Sequence, residues 1–207
     1  MFYIVKTPHW VKKFFSASIW EIAEPKNSIY LTFDDGPHPV ITPFVLDELK
    51  KYNARATFFC IGRNVVENPL IFNRILSEEH AVGNHTHDHL NGWNTPCAEY
   101  LQNITEASKH IDSDLFRPPY GRITAKQYKK LRKGDRPFKI VMWSILSGDF
   151  DATITPERCC ENVLKNADSG SVIVFHDSEK AFERLKYTLP LVLKYFSEKG
   201  YRFEKIV

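Results

Sequence analysis

The sequence predicts an α/β domain in which seven β-strands alternate with helices and build one parallel sheet. Three observations carry this. Strand-length apolar runs, Ile29-Tyr30-Leu31-Thr32-Phe33 the clearest, are separated by segments with helical apolar spacing, and parallel neighbours need such crossover connections. The 207 residues, 43% of them hydrophobic, suffice for one substantial core, and no internal repeat, low-complexity tract or Pro/Gly/Ser linker divides them. Finally, Asp34/Asp35, His85/His89, Arg117, Asp149 and His176 each lie just past the end of a different expected strand. An open doubly wound sheet and a closed barrel both satisfy the alternation. An open sheet concentrates its site at one switch point, whereas a barrel gathers it from many strand ends, so five contributing strands favour a barrel.

The elements follow in order. Residues 1–28 read as a polar N-terminal arm packed on a domain spanning 29–207. Ile29 to Phe33 is a buried strand. Thr42-Pro43 looks like an N-cap followed by proline at the first helical position, with Val45, Leu46, Leu49 and Tyr52 at helical spacing. Ala56 to Ile61 is the second strand, closed by Gly62. Leu70 to Glu79 is a helix with Ile71, Ile75 and Leu76 inward, and His80 to Asn84 a short strand. Cys97 to Ile111 is helical, Asp114 to Phe116 a strand, Thr124 to Lys133 a helix, and Phe138 to Ile145 one strongly apolar strand. Thr155 opens a helix from Pro156 to Asn166. Ser171 to Phe175 is a strand, Phe182 to Lys199 a long helix, and Tyr201 to Ile206 the final strand.

Charge and composition exclude several classes. A net charge of +3 with only isolated pairs such as Lys12-Lys13, Lys50-Lys51 and Lys129-Lys130 makes no nucleic-acid patch. No apolar run reaches the roughly 18–20 residues that span a bilayer. The first residues carry only Phe2-Tyr3-Ile4-Val5 before Lys6 and Pro8, too little for a signal peptide, so a cytoplasmic location is the default expectation. Cys60, Cys97, Cys159 and Cys160 form no C-x-x-C pair and read as reduced structural thiols.

The chemistry centres on Thr32-Phe33-Asp34-Asp35-Gly36-Pro37. Two adjacent carboxylates at the mouth of a buried strand are costly to desolvate together, and each opposes ionisation of the other. Alone, Asp34-Asp35-Gly36 reads equally well as a turn with solvated acids. The run His85-Thr86-His87-Asp88-His89 tips the balance toward a metal. Its i, i+4 histidines would share one side of a helical turn and, with one carboxylate, make the His₂-carboxylate set of a hydrolytic zinc site. His87 should face away into solvent; His80 reads as structural, and His9, His38 and His110 remain without a role.

Four ordered motifs carry a resemblance. Thr32-Phe33-Asp34-Asp35-Gly36, His85-Thr86-x-x-His89, Arg117-Pro118-Pro119-Tyr120-Gly121 and Val174-Phe175-His176-Asp177 resemble those of the NodB-type polysaccharide deacetylases, carbohydrate esterase family 4. The resemblance runs from about Ile29 to the C-terminus and implies a distorted (β/α)₇ barrel. It implies that Asp35, His85 and His89 bind Zn²⁺, or another divalent transition metal such as Co²⁺, and that Asp34 is the general base acting on the metal-bound water. Arg117 would orient Asp34, as a guanidinium fork suits. The Tyr120 N–H, beside Pro119, would help hold the oxyanion. His176 would be the general acid, its pKa held up by Asp149, and Val174 with Trp143 would wall the acetyl pocket. The family's Asp-x-x-Asp-Trp pattern falls on Leu146-Ser147-Gly148-Asp149-Phe150, so the first acid is Leu and the Trp is Phe. Phe150 keeps an aromatic wall but loses the indole N–H.

The expected activity is therefore metal-dependent hydrolysis of acetyl groups from N-acetylated sugars in a glycan. O-acetyl ester hydrolysis on the same centre is the alternative, and a non-catalytic metal or glycan binder a more distant one. The expected partner is an acetylated carbohydrate.

Overall fold

The computed structural model describes residues 3–23, 25–133 and 136–207. Its strands are β1 (Ser28–Asp34), β2 (Thr57–Cys60), β3 (Ala81–Asn84), β4 (Leu115–Phe116), β5 (Lys139–Ile140), β6 (Ile145–Leu146), β7 (Val172–His176) and β8 (Arg202–Phe203). They make one sheet in the order β5-β4-β3-β2-β1-β7-β6, with β8 paired to the start of β1. Every pairing between these strands is parallel. The sheet curls into a half-barrel wrapped by helices, in agreement with the distorted barrel expected.

β1 is the axis of the sheet, flanked by β2 and β7 and buried at all seven positions. Successive strand residues point to opposite faces, so Leu31 and Phe33 face the helices while Thr32 and Asp34 face the barrel interior. Phe33 stacks on Phe58 and Phe175, with ring centroids 5.1 and 6.0 Å apart. Over them lie Val45, Leu46 and Leu49 of α2 (Ile41–Lys51) and Leu185, Leu189, Val192 and Leu193 of the long helix at Glu179–Glu198. Each such buried side chain stabilises the fold by about 1.5–3 kcal/mol. No helix among the described residues is long and apolar enough to cross a membrane.

Several local expectations need correction. The run 138–145 is two strands at opposite ends of the sheet: β5 pairs with β4 and β6 pairs with β7. Between them the chain crosses the gap in the barrel, where Ile19 pairs alongside Val141, and Lys6 then pairs with Ile145 at the start of β6. The N-terminal segment therefore supplies backbone pairing, and it contains a short helix, α1 (His9–Phe14). Thr42 is not an N-cap. α2 begins at Ile41, and the Thr42 hydroxyl instead bonds the Asp177 carboxylate and accepts the His38 N–H. A further helix, α3 (Gly62–Glu67), precedes α4 (Pro69–Ser77); within α4 Phe72 and Ile75 are buried and Leu76 is exposed. Thr124 caps α6 (Ala125–Leu131) in a reciprocal capping box with Gln127, and Thr155 caps α7 (Pro156–Leu164). The remaining helices are α5 (Cys97–Ser108) and α8 (Glu179–Glu198).

Candidate active site

Asp34 is the last residue of β1, and its Cα pairs with that of His176 at the end of β7. The two side chains thus start from neighbouring strands, about 4.8 Å apart. Asp34 is nearly sealed from solvent and receives a 2.7 Å bond from Arg117 Nη1. Arg117, fully buried, also donates to Thr32 Oγ1 at 2.7 Å, the Met142 carbonyl at 3.0 Å and the Val141 carbonyl at 3.3 Å. Its guanidinium lies 4.1 Å from the centre of the Phe59 ring. Burial pulls the guanidinium pKa down against the opposing pull of Asp34, so the two charges sustain each other in the barrel interior.

Asp35 has left the strand in a left-handed conformation, φ 83°, which turns its carboxylate away from that of Asp34. The Asp35-Gly36 turn is clamped from behind. Asn64 Nδ2 donates to the Asp35 carbonyl at 2.7 Å, and the Gly36 N–H donates to Asp177 Oδ1 at 3.0 Å. A Cβ on Gly36 would sit 2.0 Å from Asp177 Oδ2, so the close approach requires glycine there.

The histidines come from the loop after β3, which is not helical. Thr86 and His89 have φ of 64° and 57°, a costly geometry for a β-branched threonine. Asn84 Oδ1 accepts the Thr86 N–H at 2.8 Å, Asn103 Oδ1 accepts the His87 N–H at 2.8 Å, and the Thr86 carbonyl accepts the Gly62 N–H at 2.9 Å. These bonds curl the loop so that the His85 and His89 rings lie 5.1 Å apart. His87 is not fully solvated: its Nδ1 is buried and unpaired. His80 is buried, and its Nδ1 accepts the Ala56 N–H at 3.2 Å.

Asp35 Oδ1 lies 3.2 Å from His89 Nε2 and 3.8 Å from His85 Nε2. One ligand atom from each of the three residues lies within 4.8 Å of the other two. His85 Nδ1 is 2.7 Å from the Arg117 carbonyl; a carbonyl only accepts, so the proton sits on Nδ1 and the Nε2 lone pair faces Asp35. Burial lowers the His85 pKa to about 4, which keeps the imidazole neutral. Burial alone would raise the Asp35 carboxyl, but His89, His176 and His85 together hold it well below the usual range. Asp35 Oδ1 is buried without a hydrogen-bond partner. An orphaned anionic oxygen facing the Nε2 atoms of two imidazoles fits a borderline-soft divalent cation.

On the opposite wall His176 Nδ1 donates to Asp149 Oδ1 at 2.8 Å, and Asp149 Oδ2 accepts the His176 backbone N–H at 2.7 Å. Burial opposes charge on this imidazole, but Asp149 outweighs it, with Asp35 and Asp34 adding to the effect, and the pKa rises to about 10. Phe150 packs edge-on to His176 at 5.3 Å. Tyr120 holds φ 61° in the tight turn after Arg117, and its ring meets that of His89 at 4.6 Å. Trp143, Val174, Phe150 and Tyr120 line one cleft of about 780 Å³ with Asp34, Asp35, His85, His89 and His176. Arg117 and Asp149 stand behind it, fully buried, and Pro119 is buried beneath the Tyr120 turn.

Two sets of site residues escaped the sequence reading. Tyr3, Ile4, Thr7 and Pro8 line the cleft from the N-terminal segment. Asp177, inside the quoted Val-Phe-His-Asp run, carries a signal in its position after His176. Burial raises its carboxyl to about 7, with the bonds from Thr42 and Gly36 opposing that rise.

The family model described as polysaccharide deacetylase matches residues 21–135, more than half of the chain. The chain belongs to the polysaccharide deacetylase family. A peptidoglycan-N-acetylglucosamine deacetylase of Bacillus cereus is 35% identical over 190 residues, covering 89% of this chain and 88% of the relative. A crystal structure of a peptidoglycan N-acetylglucosamine deacetylase, bound to a naphthyl N-hydroxybenzamide, superposes with a TM-score of 0.85 at 32% identity, over 97% of this chain and 95% of that one. A family 4 acetyl xylan esterase from Clostridium thermocellum, in complex with a cobalt ion, matches with a TM-score of 0.77 at 25% identity over 86% and 87% of the two chains. The polysaccharide deacetylase fold accordingly accounts for almost the whole chain, the N-terminal segment included.

Proposed function

We propose that this polysaccharide deacetylase hydrolyses the N-acetyl groups of N-acetylglucosamine units in a glycan, using a divalent cation such as Zn²⁺ or Co²⁺ held by Asp35, His85 and His89. The observation that carries the reading is the orphaned Asp35 Oδ1 facing two imidazoles in the cleft that also holds Asp34 and His176. The relatives named for N-acetylglucosamine deacetylation support the substrate class, and the cobalt in the acetyl xylan esterase supports the metal. When bound, the cation acts as a Lewis acid that polarises the amide carbonyl and makes water more acidic.

The residues divide the remaining work. Asp34, held by Arg117, accepts the proton of the water whose oxygen adds to the carbonyl carbon. The Tyr120 N–H faces the developing oxyanion. His176 carries a proton at neutral pH because of Asp149. It delivers that proton to the nitrogen as the C–N bond breaks, so acetate and a free amine leave together. Proton exchange with solvent then resets Asp34 and His176. Trp143, Val174 and Phe150 wall the space for the acetyl methyl and the sugar.

Asp34→Asn tests the assignment. The variant should bind zinc like the parent and release no acetate from N-acetylglucosamine oligomers; retained turnover removes Asp34 from the role of base. Parallel assays on an acetylated xylan separate N- from O-deacetylation. Tight oligosaccharide binding with no acetate from either substrate at saturating zinc would mark a binding protein instead.

A further inference from the structure

We infer that Tyr3 is a positioning residue for the acid side of the reaction, acting on His176 through Phe150; this rests on the acid role proposed for His176. The observation is a strap. Residues 3–7 run along the cleft wall formed by 143–146, with Lys6 paired antiparallel to Ile145. The Thr7 N–H donates to the Ser144 carbonyl at 2.8 Å, the Thr7 hydroxyl to the Trp143 carbonyl at 2.9 Å, and the Leu146 N–H to the Val5 carbonyl at 2.8 Å. These bonds fix the register of the strap and so place Tyr3 at the far end of the wall.

There the Tyr3 ring meets Phe150 at 5.2 Å, and Phe150 meets His176 edge-on at 5.3 Å. Phe150 is thus held between the strap and the imidazole. The Tyr3 hydroxyl fits over Gly148, where a Cβ would come within 2.4 Å of it, and Gly148 itself has φ 83°. Asp149 lies between these two contact points in sequence and has no exposed surface. Tyr3 therefore caps both neighbours of the residue that charges His176. The strap also touches the two positions where the chain departs from the family pattern, Leu146 through its N–H and Phe150 through its ring.

Without the Tyr3 ring, Phe150 gains room to turn away, and the imidazole loses the wall that fixes its plane toward the leaving nitrogen. That loss falls on a step needing a proton donor and spares one that does not. The test compares Tyr3→Ala and Tyr3→Phe on an N-acetylglucosamine oligomer and on 4-nitrophenyl acetate, whose phenolate leaves without protonation. Tyr3→Ala should lower kcat on the amide about tenfold with KM within about twofold, because a positioned acid contributes about 10²–10⁴-fold and only its orientation is disturbed. The aryl ester should change by less than about twofold, and Tyr3→Phe should restore the amide rate. An equal loss on both substrates, or an unchanged amide rate, overturns the inference. A second readout does not need turnover: the His176 ring-proton resonance, shifted by the Phe150 ring, should move in Tyr3→Ala and stay in Tyr3→Phe. A parent enzyme that spares the amide would end the proposed function, while an unmoved His176 resonance in Tyr3→Ala would end this one.

Discussion

Replacing Arg117 by Met is the most demanding test of how the barrel interior is held. The guanidinium is completely buried and bonds Asp34 and Thr32 at 2.7 Å, Met142 at 3.0 Å and Val141 at 3.3 Å. Met keeps most of the length and the contact with Phe59 but supplies no donor and no charge. Removing one partner of a buried ion pair costs about 3–5 kcal/mol, chiefly because the other charge stays behind uncompensated. Here that charge is Asp34, whose side chain is 5% exposed and so has little water to turn to. A loss of about 4 kcal/mol is a large part of the 5–15 kcal/mol that holds a typical domain together. With a urea slope of about 2 kcal/mol/M, the unfolding midpoint should fall by roughly 2 M.

The double variant Arg117→Met/Asp34→Asn separates charge from hydrogen bonding. It loses the same donors but strands no carboxylate, so it should recover about 2 kcal/mol of the single variant's loss. Urea melts in the presence of a chelator, which keeps metal affinity out of the comparison, measure both. A single variant costing less than about 1 kcal/mol, or a double variant no more stable than the single, would refute the claim that the charge pair dominates.

Other expectations concern protons and metal. His176 binds its proton more tightly in the folded state, with a pKa of about 10 against an ordinary value of 6.5, because Asp149 outweighs the burial that opposes it. Its stabilising contribution is therefore complete below about pH 6.5 and is lost as pH rises through 10. Asp149→Asn should flatten that decline in urea midpoints and move the alkaline limb of kcat/KM to lower pH. Asp177 is the opposite case: burial raises its carboxyl from 3.8 to about 7, so ionisation costs the folded state more than the unfolded one. Stability should fall as pH rises from about 4 to 7 and then level off. Asp177→Asn, which still accepts the Gly36 N–H, should remove that slope in thermal melts. Zinc at about a hundred times its dissociation constant should stabilise the parent by about 2.7 kcal/mol, or roughly 5–10 °C in Tm. His85→Ala should abolish this shift in a thermal scan, and a retained shift would place the cation elsewhere.

The buried strands and the residues at their ends were legible because the physics there is local. A central parallel strand covered on both faces reads as an unbroken apolar run, as Ile29 to Phe33 does. A polar residue ending such a run then stands out, as Asp34, Arg117 and His176 do. What failed were segments decided by distant partners. Phe138 to Ile145 reads as one strand, but barrel closure requires the chain to leave the edge of β4 and join that of β7. The break falls where Ile19 pairs with Val141 and the Thr7 N–H donates to the Ser144 carbonyl. Nothing in the spacing of those apolar residues encodes that division. The arm read as polar although its apolar side chains, Trp20, Val11 and Phe15 among them, pack on the domain beside its backbone bonds.

The histidine loop shows the limit most sharply. An i, i+4 spacing is equally the signature of a helical turn and of a loop that curls back on itself. The second is the outcome because Asn84, Asn103 and Gly62 supply the loop's bonds from outside. Four residues around the cleft, Asp35, Thr86, His89 and Tyr120, adopt positive φ without being glycine, at a cost of about 1–3 kcal/mol each. Aspartate and histidine tolerate that region better than most residues, but Thr86 and Tyr120 have no local preference for it. They persist because the barrel over-determines their surroundings: Asn64 anchors Asp35, and the β2–α3 backbone anchors Thr86. The strain lies where the side chains converge, so local rules fail at the residues on which the proposed chemistry rests. Motif order singled out these residues even so, although the partners that hold the strain, Asn64, Asn84, Asn103 and Gly62, lie outside the motifs.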